Sequence, residues 1–282
     1  MRSFRFLTIA SAFETIFIDQ FGVLHDGHRP YPGAKEALRA LKERGTRVVV
    51  LSNSGRSGRD NARRLSSFGF APAFYDRLVT SGDAAEALLK GEHSPLPLSA
   101  TTRCLTLASD DNFEFAEALG VRATKNGKDA DLVVIAGSQG DRLPLETYCR
   151  ILEPAAARKA PCLCANPDKL MLTATGVAFG AGRIAELYEK LGGSVIWVGK
   201  PYLPIYRTAA NLVGVTDPGR VLCVGDSVEH DIVGAHRFGA AAALMRTGIL
   251  SELTDDELAI EFDKHGAKPE FILKDLISES VG

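Results

Sequence analysis

TIFIDQFGVLHDG, residues 15–27, joins two local patterns at Asp19. Thr15 to Asp19 is an apolar run ending on an acid, the signature of a buried strand. Gly22-Val23-Leu24 follows at once and reads as a turn. Open parallel sheets place their chemistry at strand ends of this kind. Position 21, two residues after Asp19, holds Phe.

The pattern repeats outward from this stretch. PGAKEALRALKERG (32–45) sets Ala34, Ala37, Leu38 and Leu41 on one helical face. RVVVLSN (47–53) is an unbroken apolar run, as a strand covered on both faces requires. RSGRDNARRLSSFG (56–69) reads as a helix ending at Gly69. Further strands are expected at RCLTLAS (103–109), DLVVIAG (131–137), APCLCAN (160–166), SVIWVGK (194–200), RVLCVGD (220–226) and AAALMRTG (241–248). Alternating strands and helices of these lengths imply βαβ units and a mostly parallel sheet. Chemistry-bearing residues end only some of the strands: Asp19, Ser52 with Asn53, Lys200, and Asp226. The strands between 103 and 166 end more blandly. The expectation is therefore an α/β protein with a Rossmann-like core from residues 1–82 and 194–282. A second α/β domain, 83–193, is inserted into it, with GEHSPLPLS (91–99) as a loop near the boundary.

Bulk properties narrow the partners. Hydrophobic residues make up 45% and charged residues 24%, enough for a sizeable core. A net charge of −2 gives no electrostatic reason to expect nucleic acid or an anionic membrane as partner. The 5 cysteines are odd in number and scattered, which fits reduced thiols better than a disulfide framework. Cys162 and Cys164 form a close pair, but no second pair or nearby His completes a zinc set. The N-terminal MRSFRFLTIASAF has a short apolar run interrupted by Glu14, and reads as a mature segment rather than a signal peptide. No run reaches the length of a membrane span. A cytoplasmic protein is expected.

Each strand-end residue has an ordinary explanation and a chemical one. Asp19 is either a helix or loop cap or a nucleophile toward phosphorus. Ser52, with the N–H groups of Asn53 and Ser54 opening the next helix, is either a cap or a cradle for phosphate oxygens. Lys200, in Gly-Lys-Pro, is either a surface lysine or the counter-charge to phosphate and nucleophile. GDSVEHD (225–231) sets Asp226 at a strand end and Asp231 one turn into a helix. With Asp19 these carboxylates form a hard-oxygen set suited to Mg²⁺. Arg56 and Arg59 either contact an anion or lie solvated on a first turn.

Order and spacing together say more than any one residue. D-x-x-G-V-L, L-S-N, G-K-P and G-D-x-x-x-x-D, each at a strand end, resemble the haloacid-dehalogenase-like (HAD) phosphohydrolases. The interval from Asp19 to Ser52 is too short for a cap domain, while that from Ser52 to Lys200 holds one. This resembles the type IIA branch of nitrophenylphosphatase-like sugar and nucleotide phosphatases. ANPDKLMLTATGVAFGAGRIAELYEKLGG (165–193) is similar to that branch's cap segment. The resemblance implies a Mg²⁺-dependent hydrolase of a small phosphorylated metabolite. Asp19 would be nucleophile and metal ligand, Phe21 would offer its backbone carbonyl to the metal, and Asp226 and Asp231 would anchor it. Lys200 and Ser52, with Asn53 and Ser54, would bind phosphate. Lys169, Leu170 and Met171 would help select substrate, and a homodimer through the cap is implied.

Phe21 departs from that pattern. The family's residue there lends its carbonyl to the metal and its carboxyl to the leaving group. Phe keeps the first role and loses the second, and a lost general acid costs about 10²–10⁴-fold. His25 and Asp26 are the nearest candidates to replace it. Three functions are compatible: a phosphatase with weakened or rerouted acid–base catalysis, a silent pseudophosphatase that binds a phosphorylated ligand, and a hydrolase of carbon–halogen or carbon–phosphorus bonds.

Overall fold

The computed structural model describes residues 5–110, 114–173 and 176–277. The first four residues of the N-terminal segment, and Ala174 and Thr175 of the 165–193 segment, lie outside it. Thirteen strands are described in chain order. They are β1 (Thr15–Asp19), β2 (Arg47–Ser52), β3 (Arg77–Thr80), β4 (Arg103–Leu107), β5 (Arg122–Thr124), β6 (Leu132–Ile135) and β7 (Cys162–Cys164). There follow β8 (Leu170–Thr173), β9 (Gly176–Phe179), β10 (Val195–Trp197), β11 (Val221–Gly225), β12 (Ala241–Met245) and β13 (Phe271–Leu273). The chain divides into two units, residues 1–52, 59–79 and 200–282 in one, and 53–58 and 80–199 in the other.

The first unit is built on a six-stranded sheet in the order β13-β12-β11-β1-β2-β3. β1 pairs parallel to β11 on one side, with Ile16 opposite Leu222, and to β2 on the other, with Asp19 opposite Leu51. From β1 the chain winds outward through β2 and β3, then returns to β11 and winds the other way. That reversal, between β1 and β11, is where an open parallel sheet leaves a crevice at its carboxyl edge. Asp19 closes β1 and Asp226 follows β11 at this point.

Apolar alternation explains the layers. Ile16 and Ile18 pack with Val48, Val50, Leu222 and Val224 into a single buried cluster. The helix Ala34–Glu43 covers it with Ala34, Ala37, Leu38 and Leu41, the four residues that its period assigned to one face. Burying each such leucine contributes roughly 1.5–3 kcal/mol. Phe17 points to the opposite face, where its ring stacks on Phe238 at 5.9 Å and Tyr206 stacks on Phe238 at 5.6 Å. Among the described residues no helix is long and apolar enough to cross a membrane.

The second unit has its own sheet, ordered β10-β7-β6-β4-β5, with parallel pairs throughout, and a separate antiparallel hairpin of β8 and β9. Its core gathers Leu105, Val133, Ile135, Tyr148, Leu152, Ile184 and Tyr188. Cys162 and Cys164 are buried in that core. Burial pushes the Cys164 thiol up to about 12, so it stays protonated.

Both domain boundaries differ from the sequence reading. The strand expected at 194–200 was assigned to the core, but β10 pairs with β7, Val195 opposite Cys162 and Trp197 opposite Cys164. The boundary thus falls after Gly199 rather than after residue 193. At the other side the second unit begins at Thr80 rather than after residue 82, and residues 53–58 group with it. Gly82 N–H donates to the Ser54 carbonyl at 3.1 Å, and Arg56 pairs with Asp110 at 2.8 Å. An apolar run declares a strand, but the sheet it joins is set by hydrogen-bond register, which no single run encodes.

Candidate active site

Four of the anticipated residues meet at the switch point of the first unit. Asp19, Asp226 and Asp231 are all buried, each with a carboxylate oxygen within 4.8 Å of the others'. Lys200, 3% exposed, donates to Asp19 Oδ1 at 2.5 Å and to Asp231 Oδ1 at 2.8 Å. Ser227 N–H holds the other Asp231 oxygen at 3.1 Å. The expected helix around Asp231 begins as a wide turn, Val228–Ile232, before the regular helix Val233–Phe238. Ser227 Oγ caps it by accepting from His230 N–H at 3.2 Å. His230 Nδ1 lies 3.2 Å from the Lys200 carbonyl, so this loop braces the lysine as well as the metal motif.

Charge makes the cluster demanding. Burial pushes the Asp19 carboxyl up, and the neighbouring Asp231 adds to that, while Lys200 opposes both. Burial likewise disfavours the Lys200 ammonium, but Asp19 and Asp231 outweigh it and hold its pKa above the ordinary lysine range. The two directions describe one arrangement: Asp19 and Asp231 share the Lys200 ammonium, with Asp226 in the same buried cluster. Uncompensated buried charge costs several kcal/mol. A hard divalent cation among these oxygens removes that cost, and the all-oxygen donor set is the one Mg²⁺ prefers. The residues therefore fit the ion that the motif implied.

The turn after Asp19 is equally specific. Leu24 and His25 N–H groups both donate to the Gln20 carbonyl, so the turn does not consume the carbonyl of Phe21. Gly22 has φ +85, and a Cβ there would lie 2.1 Å from Asp226 Oδ2. Only glycine permits both the conformation and the approach. The Phe21 ring is 38% exposed and meets the His25 ring edge-on at 5.8 Å.

His25, one candidate replacement for the missing acid, is not placed to act. His25 is 1% exposed, with its ring 4.6 Å from that of Phe68. Its Nδ1 accepts from Gly27 N–H at 3.0 Å, which leaves the proton on Nε2. Gln20 lies 3.2 Å from Nε2, and turning its amide to present Oε1 there completes that bond. Burial and the nearby Arg64 lower the His25 pKa to about 4. Asp26 is a turn cap, accepting from His28 and Arg29 N–H at 2.8 Å each; those bonds lower its pKa. His25 is a structural histidine that stays neutral.

A stability test follows. Below its unfolded pKa near 6.5 the unfolded chain binds a proton that native His25 refuses until about pH 4. Stability is lost as pH falls through that window, by about 2 kcal/mol between pH 7 and 5. Urea unfolding of the wild type and His25→Gln at both pH values should give the variant a shallower fall. Equal falls would refute this role.

The other anticipated residues are placed as follows. Ser52 ends β2 on the first unit, one strand from Asp19. Asn53 and Ser54 belong to the second unit. There the Asn53 amide donates to Asp168 at 2.7 Å and accepts from Ser81 at 3.4 Å, tying 53–58 to the Asn166-Pro167-Asp168 loop. Lys169 pairs with Glu186 at 3.2 Å. Leu170, with Leu172 and Val177, is exposed on the β8–β9 hairpin. Asp168 and Gln20 were passed over in the sequence, because nothing local marks which amide a loop carboxylate will meet. Thr247 and Gly248 close the strand segment AAALMRTG and were also missed, although a Thr-Gly at a strand's carboxyl end is the kind of signal that finds a site.

A Rossmann-order sheet with a lysine-bridged carboxylate cluster at its switch point defines the chain as an α/β enzyme. Its relatives specify which. A model described as haloacid dehalogenase-like hydrolase matches residues 16–122, and a HAD-hydrolase-like model matches 197–278. Mouse (Mus musculus) chronophin is 30% identical over 84% of this chain and 82% of its own length. A haloacid dehalogenase-like hydrolase from Brucella suis superposes with TM-score 0.80 at 26% identity, covering 98% of this chain and 100% of that one. The glycerol phosphate phosphatase of Mycobacterium tuberculosis, solved in complex with magnesium, gives 0.76 at 25% identity over 95% of this chain and 77% of that one. The chain belongs to the haloacid dehalogenase-like hydrolases, in their capped type IIA branch.

Proposed function

We propose that this protein is a Mg²⁺-dependent phosphatase of small phosphorylated metabolites that works through an aspartyl-phosphate on Asp19, with weakened acid–base catalysis. The observation that carries the reading is the Asp19–Lys200–Asp231 ion-pair cluster with Asp226 beside it. Lys200 fixes the Asp19 carboxylate through Oδ1 and favours its ionised form, the one that attacks phosphorus. As the Asp19–phosphorus bond forms, the bond to the leaving oxygen breaks and that oxygen takes the electron pair. Water then hydrolyses the aspartyl-phosphate. The ammonium also offsets charge on the incoming phosphate, with Ser52 at the adjacent strand end. Asp19 and Asp226, with the Phe21 carbonyl, would hold Mg²⁺. Asp231, whose two oxygens already serve Lys200 and Ser227, would support it. Bound Mg²⁺ would neutralise the excess carboxylate charge and polarise the phosphoryl group.

Phe21 sets the leaving-group preference. No carboxyl stands two residues after Asp19, and His25 is neutral and enclosed. Substrates whose leaving group needs little protonation, aryl and acyl phosphates, should turn over best. Release of inorganic phosphate from nitrophenyl phosphate and a panel of metabolite phosphates, in MgCl₂ and in EDTA, tests the reading. Turnover that vanishes in EDTA supports it, and turnover indifferent to EDTA would overturn it. The same Phe21 favours one second reading, a protein that binds a phosphorylated ligand without releasing product. Ligand-dependent protection from unfolding in the absence of turnover would mark that case.

A further inference from the structure

The geometry points to Thr247 and Gly248 as positioning residues that set the Asp226 carboxylate for metal binding, an inference that rests on reading Asp19, Asp226 and Asp231 as the Mg²⁺ site. Asp226 is gripped by two glycine Cα atoms from distant parts of the chain. A Cβ built on Gly22 would fall 2.1 Å from Asp226 Oδ2, and one on Gly248 would fall 1.8 Å from the same oxygen. The Gly248 Cβ would also lie 2.9 Å from the Gly22 Cα, so the two glycines close on each other as well as on the carboxylate. Both have positive φ, +85 and +59, which a side chain would strain further.

Thr247 fastens this clasp. Its Oγ1 donates to the Gly22 carbonyl at 2.5 Å, joining the segment after β12 to the turn after β1. The tie runs between the strand ends that flank β11, whose own end carries Asp226. The consequence is geometric. The two backbone walls restrict where the Asp226 carboxylate can lie. Groups that orient a ligating carboxylate in this manner typically change metal affinity by about 10–100-fold when removed.

The test is the dissociation constant for Mg²⁺, titrated as MgCl₂ by calorimetry on the full chain, beside the melting temperature in EDTA. Thr247→Val keeps the shape and removes the hydroxyl; its Mg²⁺ dissociation constant should rise about 10-fold. Thr247→Ser keeps the hydroxyl and should bind as the wild type does. Gly248→Ala forces a methyl onto Asp226 Oδ2 and should weaken binding more than Thr247→Val. If it fails to fold, the Val and Ser pair decides alone. A wild-type Mg²⁺ constant for Thr247→Val would overturn the inference, as would equal weakening in Thr247→Ser. Asp226→Asn separates the two levels. If it abolishes Mg²⁺ binding while Thr247→Val leaves it intact, only the positioning role fails. If Asp226→Asn itself binds Mg²⁺ normally, the metal-site reading fails and the positioning role with it.

Discussion

Asp19→Asn is expected to abolish phosphate release, with a loss on the order of 10⁴-fold or more, because the proposed acyl-phosphate forms on Asp19. The variant should nevertheless fold. Asn is the same size and still offers an oxygen to the Lys200 ammonium, which now sits 2.5 Å from Asp19 Oδ1. Asp19 and Asp231 share the Lys200 ammonium, and Asp226 lies in the same buried carboxylate cluster. Removing one of these carboxylates relieves repulsion, so the melting temperature in EDTA should hold or rise. The stabilisation that MgCl₂ gives the wild type should shrink in the variant, since a ligand charge is gone. Inactivity with an intact fold and a smaller Mg²⁺ effect is the combined signature. Retention of more than about one hundredth of the wild-type rate would remove Asp19 as nucleophile, given how completely such groups are needed.

Phe21→Asp is expected to accelerate turnover of alkyl phosphate monoesters by about 10²–10⁴-fold, the usual worth of a positioned general acid. Nitrophenyl phosphate, whose leaving group is stable as an anion, should gain far less. The difference between the two substrates is the informative quantity. It isolates protonation of the leaving oxygen from any general change in the site. The substitution is structurally mild, because the Phe21 ring is 38% exposed and its main contact is edge-on to His25. The backbone carbonyl proposed to face the metal is the same in both residues. Equal gains on both substrates would mean that Phe21 acts by occlusion rather than by lacking an acid. A parent that is inert and a variant that turns over would instead mark a binding protein on an intact enzyme frame.

Much of this was legible before any coordinates. The run ending at Asp19, the Leu51-Ser52-Asn53 strand end and the spacing from Asp226 to Asp231 follow from apolar periodicity and from residue types that only strand ends can present together. Lys200 was a weaker signal. A lysine before a proline is unremarkable until its ammonium is found buried between two aspartates from opposite ends of the chain. β3, β5, β13 and the β8–β9 hairpin, three or four residues each, escaped notice, whereas the equally short β6, β7 and β10 lie inside the longer runs DLVVIAG, APCLCAN and SVIWVGK. His25 was open to two readings, since a histidine six residues past Asp19 could be catalytic or structural. Its enclosure by Phe68, Gln20 and Gly27 decides for structure.

By itself, the sequence determined the α/β class, the presence of a second unit, the three carboxylates that the fold brings together and the absence of an acid at position 21. These are local facts, carried by hydrophobic period and by the identity of single residues. The tertiary structure alone decided where β10 belongs, which carboxylates Lys200 bridges, and that Gly22 and Gly248 close on Asp226. Each of these depends on register and on contacts between segments far apart in the chain. Such contacts are fixed by packing and hydrogen-bond geometry, for which no short stretch of residues holds both partners.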